Sequence, residues 1–188
     1  TLLIDDFAIA PASGSWGFAP WTGDADSGLS SQFVYTHAYS FGGSPPVTIN
    51  GVRFIPNEDG EAGRFTLSGL NAVYNNGPNN LTGESYNLAK DFRYNGATGI
   101  TLENLEPDTD YVFTLYGMGW DASGPRSATF SSSVDGGAEK FTVNLNHYGQ
   151  GNGMRVTYAY TTDSLGSPVT ISYPATAAGT FHTSGFSN

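Results

Sequence analysis

Turn-forming dipeptides punctuate this chain and divide it into runs whose pattern is that of strands. Asn50-Gly51, Asp59-Gly60, Asn76-Gly77-Pro78, Asn95-Gly96 and Asp135-Gly136-Gly137 each offer backbone able to enter positive φ, which tight hairpin turns require. The runs between them are short, rich in β-branched and aromatic residues, and alternate at period two. Strands are expected over 2–9, 32–39, 47–55, 64–70, 90–94, 99–103, 111–117, 126–132, 140–145, 154–161, 169–173 and 180–186. With 25 glycines and 10 prolines the chain disfavours helix throughout, and no amphipathic helix longer than two turns is expected.

The strand faces carry further information. In 111–116, Tyr111, Phe113 and Leu115 share one face while Val112, Thr114 and Tyr116 share the other. Both faces are largely apolar, which is the pattern of a central strand covered on each side. In 154–160, Arg155 and Thr157 alternate with Val156 and Tyr158, the pattern of a half-exposed strand. Many short strands without crossover helices predict an all-β fold, a β-sandwich of jelly-roll type with two antiparallel sheets; a closed barrel is the alternative. The run Leu105-Glu106-Pro107-Asp108-Thr109-Asp110-Tyr111 sets a proline turn before an aromatic strand. There the tyrosine hydroxyl can bond back to the turn backbone, or the run is a plain turn and strand start.

Charge and cysteine content remove several function classes. Seven Lys and Arg against 17 acids give a formal net charge of −10, which excludes a nucleic-acid or anionic-membrane footprint. The absence of cysteine excludes zinc-thiolate, iron–sulfur, thiol-nucleophile and disulfide chemistry, leaving oxygen ligands and three histidines as metal donors. No run approaches the ~20 apolar residues of a membrane-spanning helix. The 188 residues read as a single module, and the start at Thr1, without methionine or a signal-type stretch, suggests one excised from a larger protein.

No catalytic residue can be nominated. There is no G-x-S-x-G elbow, and carboxylate pairing across a cleft cannot be read from spacing. His37 and His182 lie in strand patterns and read as packed core histidines, whereas His147, beside Tyr148 and a glycine-rich run, reads as solvent-facing. Asp24 and Asp26, in Trp21-Thr-Gly-Asp-Ala-Asp-Ser-Gly28, resemble the opening of a calcium loop. An Asx-type turn that needs no metal reads equally well. A structural Ca2+ would relieve repulsion in an acidic chain without disulfides. Trp16 and Trp21 sit in a Gly-, Ser- and Pro-rich segment, Trp120 in another glycine-rich one, and Tyr74, Tyr86 and Tyr148 in or beside loops. Aromatic rings so placed suit stacking on sugar C–H faces, with Asp and Arg bonding hydroxyls. Trp120, Asp121 and Arg126 form the leading sugar-binding constellation; the alternative is that each tryptophan plugs an end of the sandwich.

The stretch from Trp21 to Gly42, then Ile49-Asn-Gly-Val-Arg-Phe54, Leu105-x-Pro-x-Thr-x-Tyr111, Leu115-Tyr-Gly-x-Gly-Trp120 with Arg126, and Phe181-His-x-x-Gly-Phe-Ser-Asn188 resemble repeated β-sandwich modules of secreted or surface proteins from polysaccharide-degrading bacteria. These are similar to galactose-binding-like jelly rolls, an architecture shared by many carbohydrate-binding modules. The resemblance implies a noncatalytic accessory module, secreted or at the cell surface. It would hold a catalytic domain of the same parent chain, or a surface protein, on a polysaccharide. Net negative charge favours a neutral glycan, and the module is expected to be monomeric. The alternatives are a structural or adhesive module without glycan ligand, and a polysaccharide lyase or hydrolase.

Overall fold

A computed structural model describes residues 14–42, 45–57, 59–96, 98–119, 121, 124–176 and 179–188. The strand expected over 2–9 and the tryptophan at 120 lie outside the described residues. Among the described residues there are fourteen strands: β1 (Ser15–Trp21), β2 (Ala38–Ser40), β3 (Val47–Ile49), β4 (Val52–Pro56), β5 (Phe65–Ser68), β6 (Ala72–Tyr74), β7 (Phe92–Tyr94), β8 (Gly99–Leu102), β9 (Asp110–Met118), β10 (Ser127–Ser132), β11 (Phe141–Asn144), β12 (Gly153–Thr161), β13 (Val169–Ser172) and β14 (Gly185–Ser187). One short helix, α1 (Glu84–Ala89), interrupts them.

The strands form a seven-stranded sheet in the order β1-β12-β9-β14-β2-β4-β3, a five-stranded sheet in the order β11-β10-β13-β8-β5, and a two-stranded ribbon, β6-β7. All described pairings are antiparallel except β2 with β4. The expected all-β sandwich is therefore the observed architecture. The Asn50-Gly51 signal acts as a hairpin turn, with φ of 49° and 84°, so the run expected as one strand over 47–55 folds back as β3 and β4.

Two hydrophobic clusters organise the chain. The first lies between the sheets and joins Phe113, Leu115, Val156, Tyr158 and Phe186 of the large sheet to Phe65, Ile100, Phe130 and Ile171 of the small one. The second lies on the outer face of the large sheet, where Trp21, Phe54, Leu88 and Phe92 pack over Tyr116 and Met118. Strand β9 pairs with β12 on one side and β14 on the other. It is central and contributes to both clusters, as its two apolar faces require.

Three departures from the sequence pattern have physical causes. Trp16 and Trp21 lie on strand β1, not in a loop; Pro20 fits there because β1 is an edge strand with one side free of ladder bonds. Residues 32–37 do not form a strand, and Phe33 (62% exposed) and Val34 (92% exposed) face solvent. Arg155 is not half-exposed but buried, at 4% exposure, because neighbouring segments rise around its face of β12.

Strand β14 is only three residues long, yet Phe186 meets Tyr39, Phe41, Phe65 and Phe113 at ring-centroid distances of 5.7, 5.6, 5.1 and 5.8 Å. Phe186→Ala is expected to cost about 3–5 kcal/mol. Urea unfolding should show this as a lower midpoint at unchanged slope.

Candidate functional site

The second cluster covers only part of the outer face of the large sheet. Beyond Tyr116 the next outward residues, Thr114 and Val112 of β9, are left open, together with Arg155, Thr157 and Ala159 of β12 and Ser187 of β14. These form the floor of a groove of about 530 Å3. One wall is the segment 33–36 and the other runs from Glu106 to Tyr111.

Both walls are held by specific bonds. The Ser30 N–H donates to the Tyr35 hydroxyl at 3.1 Å, and the Thr36 N–H donates to the Asn188 carbonyl at 2.9 Å. On the other side the Glu106 N–H donates to the Tyr111 hydroxyl at 3.0 Å, so the expected tyrosine corner is formed. Thr161 donates to Asp110 at 2.7 Å, fixing a carboxylate at the groove's edge. Tyr160, whose ring also borders the groove, donates to Asn188 Oδ1 at 2.9 Å.

Arg155 is the unusual member of the floor. Its Nε is buried without a hydrogen-bond partner, and no carboxylate lies within 4.0 Å of its guanidinium among the described residues. Burial lowers its pKa, against the attraction of Tyr116, Asp26 and Tyr148, yet a guanidinium remains cationic. The position is enforced from above. Tyr116 donates to the Ser27 carbonyl at 2.9 Å, and the next residue is Gly28, with φ of +75°. The positive φ favours glycine there, and a Cβ at that position would lie 2.3 Å from Arg155 Nη1, so the guanidinium packs directly against the Gly28 backbone.

A second, shallower depression of about 490 Å3 adjoins the groove and shares Phe33, Tyr35 and Thr36 with it. Its far side carries Arg53, Glu61 and Arg64, all exposed, with Glu61 accepting a 2.7 Å hydrogen bond from Tyr39.

The residues nominated from sequence lie elsewhere. Trp16 packs on Tyr158 (4.2 Å) and Phe141 (6.0 Å), and Trp21 is fully buried with its indole N–H donating to Ser85 at 3.0 Å. Tyr74 stacks on Phe92 at 5.4 Å, Tyr86 stands 41% exposed on α1, and Tyr148 is half-buried near Phe18 and His147. Arg126 and Asp121 do meet, in a bidentate pair at 2.7–3.0 Å, while Arg126 Nη1 donates to the Thr180 carbonyl. That guanidinium is 7% exposed and serves the interior. None of these described residues lines the groove. The residues of the groove floor come from segments far apart in sequence, so no local pattern marks them.

Asp24 and Asp26 act as backbone caps. Asp24 accepts the N–H groups of Glu84 and Ser85 at 3.1 and 2.7 Å, closing the first turn of α1, and Asp26 accepts those of Thr22 and Gly23. Each carboxylate oxygen thus accepts from backbone N–H donors, which gives both residues a capping role that needs no metal. No group of three or more His, Asp or Glu gathers as a metal site among the described residues. His37 and His182 are buried at 1% and 2% exposure, and His147 is exposed, as the strand patterns suggested.

No protein-family profile and no curated protein matches the chain. Solved structures do. β-Glucuronidase 2 of Bacteroides uniformis matches over 89% of this chain and 18% of its own, with a TM-score of 0.59 at 16% identity. The ANX2 ectodomain of Arabidopsis thaliana matches over 81% of this chain and 48% of its own, with a TM-score of 0.58 at 12% identity. The chain therefore spans half or less of these structures, and what they share with it is the β-sandwich fold. No described helix is long and apolar enough to cross a membrane.

Asp24→Ala should lower stability by about 1–2 kcal/mol, by the same amount in calcium and in chelator; a loss confined to calcium-containing buffer would return this pair to metal ligation. A pH dependence follows from His182, whose pKa is pushed down to about 4, first by burial and then by the Arg126 charge. Unfolded, it titrates near the ordinary value of about 6.5, so between these limits the unfolded chain holds a proton that the folded one refuses. Stability is then full above pH ~6.5 and falls by about 3 kcal/mol towards pH 4. Urea midpoints across that range should show the loss, and His182→Phe should flatten it, leaving the share from His37, which burial lowers in the same direction.

Proposed function

We propose that this chain is a noncatalytic glycan-binding module whose binding face is the groove on the outer side of the large sheet. The observation that carries the reading is the combination at one opening of an exposed aromatic ring, Phe33, two half-buried ones, Tyr35 and Tyr111, and a floor of threonine and serine hydroxyls. Sugars need both: apolar C–H faces stack on rings while hydroxyls bond to short polar side chains and carboxylates such as Asp110. An open groove on a rigid sheet also suits a polymer, which can enter without a chain end. Solved β-sandwich neighbours that include a β-glucuronidase are consistent with this reading.

The chemistry of the groove supports a binding role over a catalytic one. No histidine lines it among the described residues, and a phenol acting as base would need a depressed pKa. Burial instead raises the pKa of Tyr35 and Tyr160. In its parent protein such a module would keep an attached enzyme or surface protein on its polysaccharide.

Affinity gels containing agarose, carrageenan, alginate, xylan, mannan or cellulose test the proposal. At least one should retard the protein, and Phe33→Ala should weaken that retention ~5- to 10-fold, with Tm changed by less than about 2 °C. A folded protein retarded by none of them would refute the binding reading. Release of reducing ends or unsaturated products would replace it with a hydrolase or lyase.

A further inference from the structure

Five arginines occur in this chain, and their pairing divides them. Arg93 lies 3.7 Å from Asp59, and Arg126 is bidentate with Asp121. Arg53, Arg64 and Arg155 have no carboxylate within 4.0 Å among the described residues. All three line the two depressions that meet at Phe33, Tyr35 and Thr36. In a chain with 17 acids and only seven basic residues, the unpaired guanidinium charge is thus gathered on one continuous surface.

Arg155 carries the inference furthest. It is more than nine-tenths buried, its Nε has no partner, and its guanidinium packs against Gly28, a glycine with positive φ. A structural arginine in such a place is normally neutralised, as Arg126 is by Asp121. Glu106 and Asp110, the carboxylates of the groove, are exposed at its edge and out of ion-pair range of Arg155. The planar fork of a guanidinium matches an oxyanion with two oxygens, and it gains most where water is largely excluded.

Resting on the glycan-binding reading, we infer that the ligand is an acidic polysaccharide, with an oxyanion of one sugar unit seated on Arg155 and further oxyanions of the same chain reaching Arg53 and Arg64. The oxyanion is a uronate carboxylate or a sulfate ester. The net charge of −10 alone favours neutral glycans, and this local arrangement reverses that expectation. The field of distant acids is screened over about 8 Å at physiological salt, whereas a guanidinium in contact with its anion is screened little.

Calorimetric titration of the whole chain tests this with two pairs of probes: an oligouronate and the same oligomer reduced at its carboxyl groups to the neutral sugar, and a sulfated neutral oligosaccharide and its desulfated form. At least one acidic probe should bind ten-fold or more tightly than its neutral counterpart. The preferred acidic probe identifies the source of the oxyanion. Arg155→Gln should reduce that preference to two-fold or less. As a control on folding, Arg155→Met should keep or raise the Tm of the free protein, because it removes an uncompensated buried cation. A fall of several degrees would mark Arg155 as structural and overturn the inference. Equal binding of acidic and neutral probes would also overturn it while leaving the glycan reading intact. Binding of none of the probes, by a protein that an agarose, mannan or cellulose gel still retards, would limit the ligand to other neutral glycans and so also overturn it. Binding to neither probes nor gels would remove both.

Discussion

A single strand that is apolar on both faces sets the requirements for the rest of this molecule. Strand β9 must bury Phe113 and Leu115 on one side and Tyr116 and Met118 on the other. The small sheet covers the first side. The second side has no further sheet to cover it, so segments from the first half of the chain do so: the end of β1, the β3–β4 hairpin, α1 and the β6–β7 ribbon. Each is too short to be stable alone, and each contributes apolar side chains to a shared cluster with Tyr116 at its base. Bonds from Trp21 to Ser85 and from Asp24 to the start of α1 tie the pieces of this layer together.

The groove follows from the incompleteness of that cover. The outer layer stops near Ser27, where Tyr116 grips the backbone, and from there the sheet surface is bare as far as the tyrosine corner at 106–111. Thr114, Thr157 and Ser187 bring hydroxyls to this surface beside the apolar Val112 and Ala159. Arg155 differs from them, because its charge is enclosed by walls without being neutralised. Buried polar groups are as a rule partnered, so one that is not points to a missing partner or a site of function.

Sequence reading reached the parts of this picture that depend on local pattern. The two-faced strand at 111–116, the tyrosine corner and the separation of His37 and His182 from His147 all follow from alternation or from short spacing. Elsewhere, local pattern was ambiguous. A Gly-, Ser- and Pro-rich run reads as loop, but an edge strand tolerates the same composition, and so Trp16 and Trp21 became packing residues. Asp24 and Asp26 have the spacing of cation ligands and of backbone caps alike, and the capping of α1, sixty residues later, is visible only in the fold. The groove was least legible, since its floor and walls are assembled from residues near 35, 110, 155 and 187. No property of any one segment announces that the others will surround it.

Net charge was similarly informative only at coarse scale. It excludes nucleic acid, but it conceals the fact that the unpaired arginines are gathered around two adjoining depressions. The central claim is that this surface is the ligand-binding face. Amide chemical-shift mapping during titration with the oligosaccharide selected on the gels tests it most directly. The account predicts that the largest shifts fall at 33–36, 106–112 and 155–159. Shifts confined to the Phe18, His147 and Tyr148 edge, or to 121–126, with the groove silent, would contradict it.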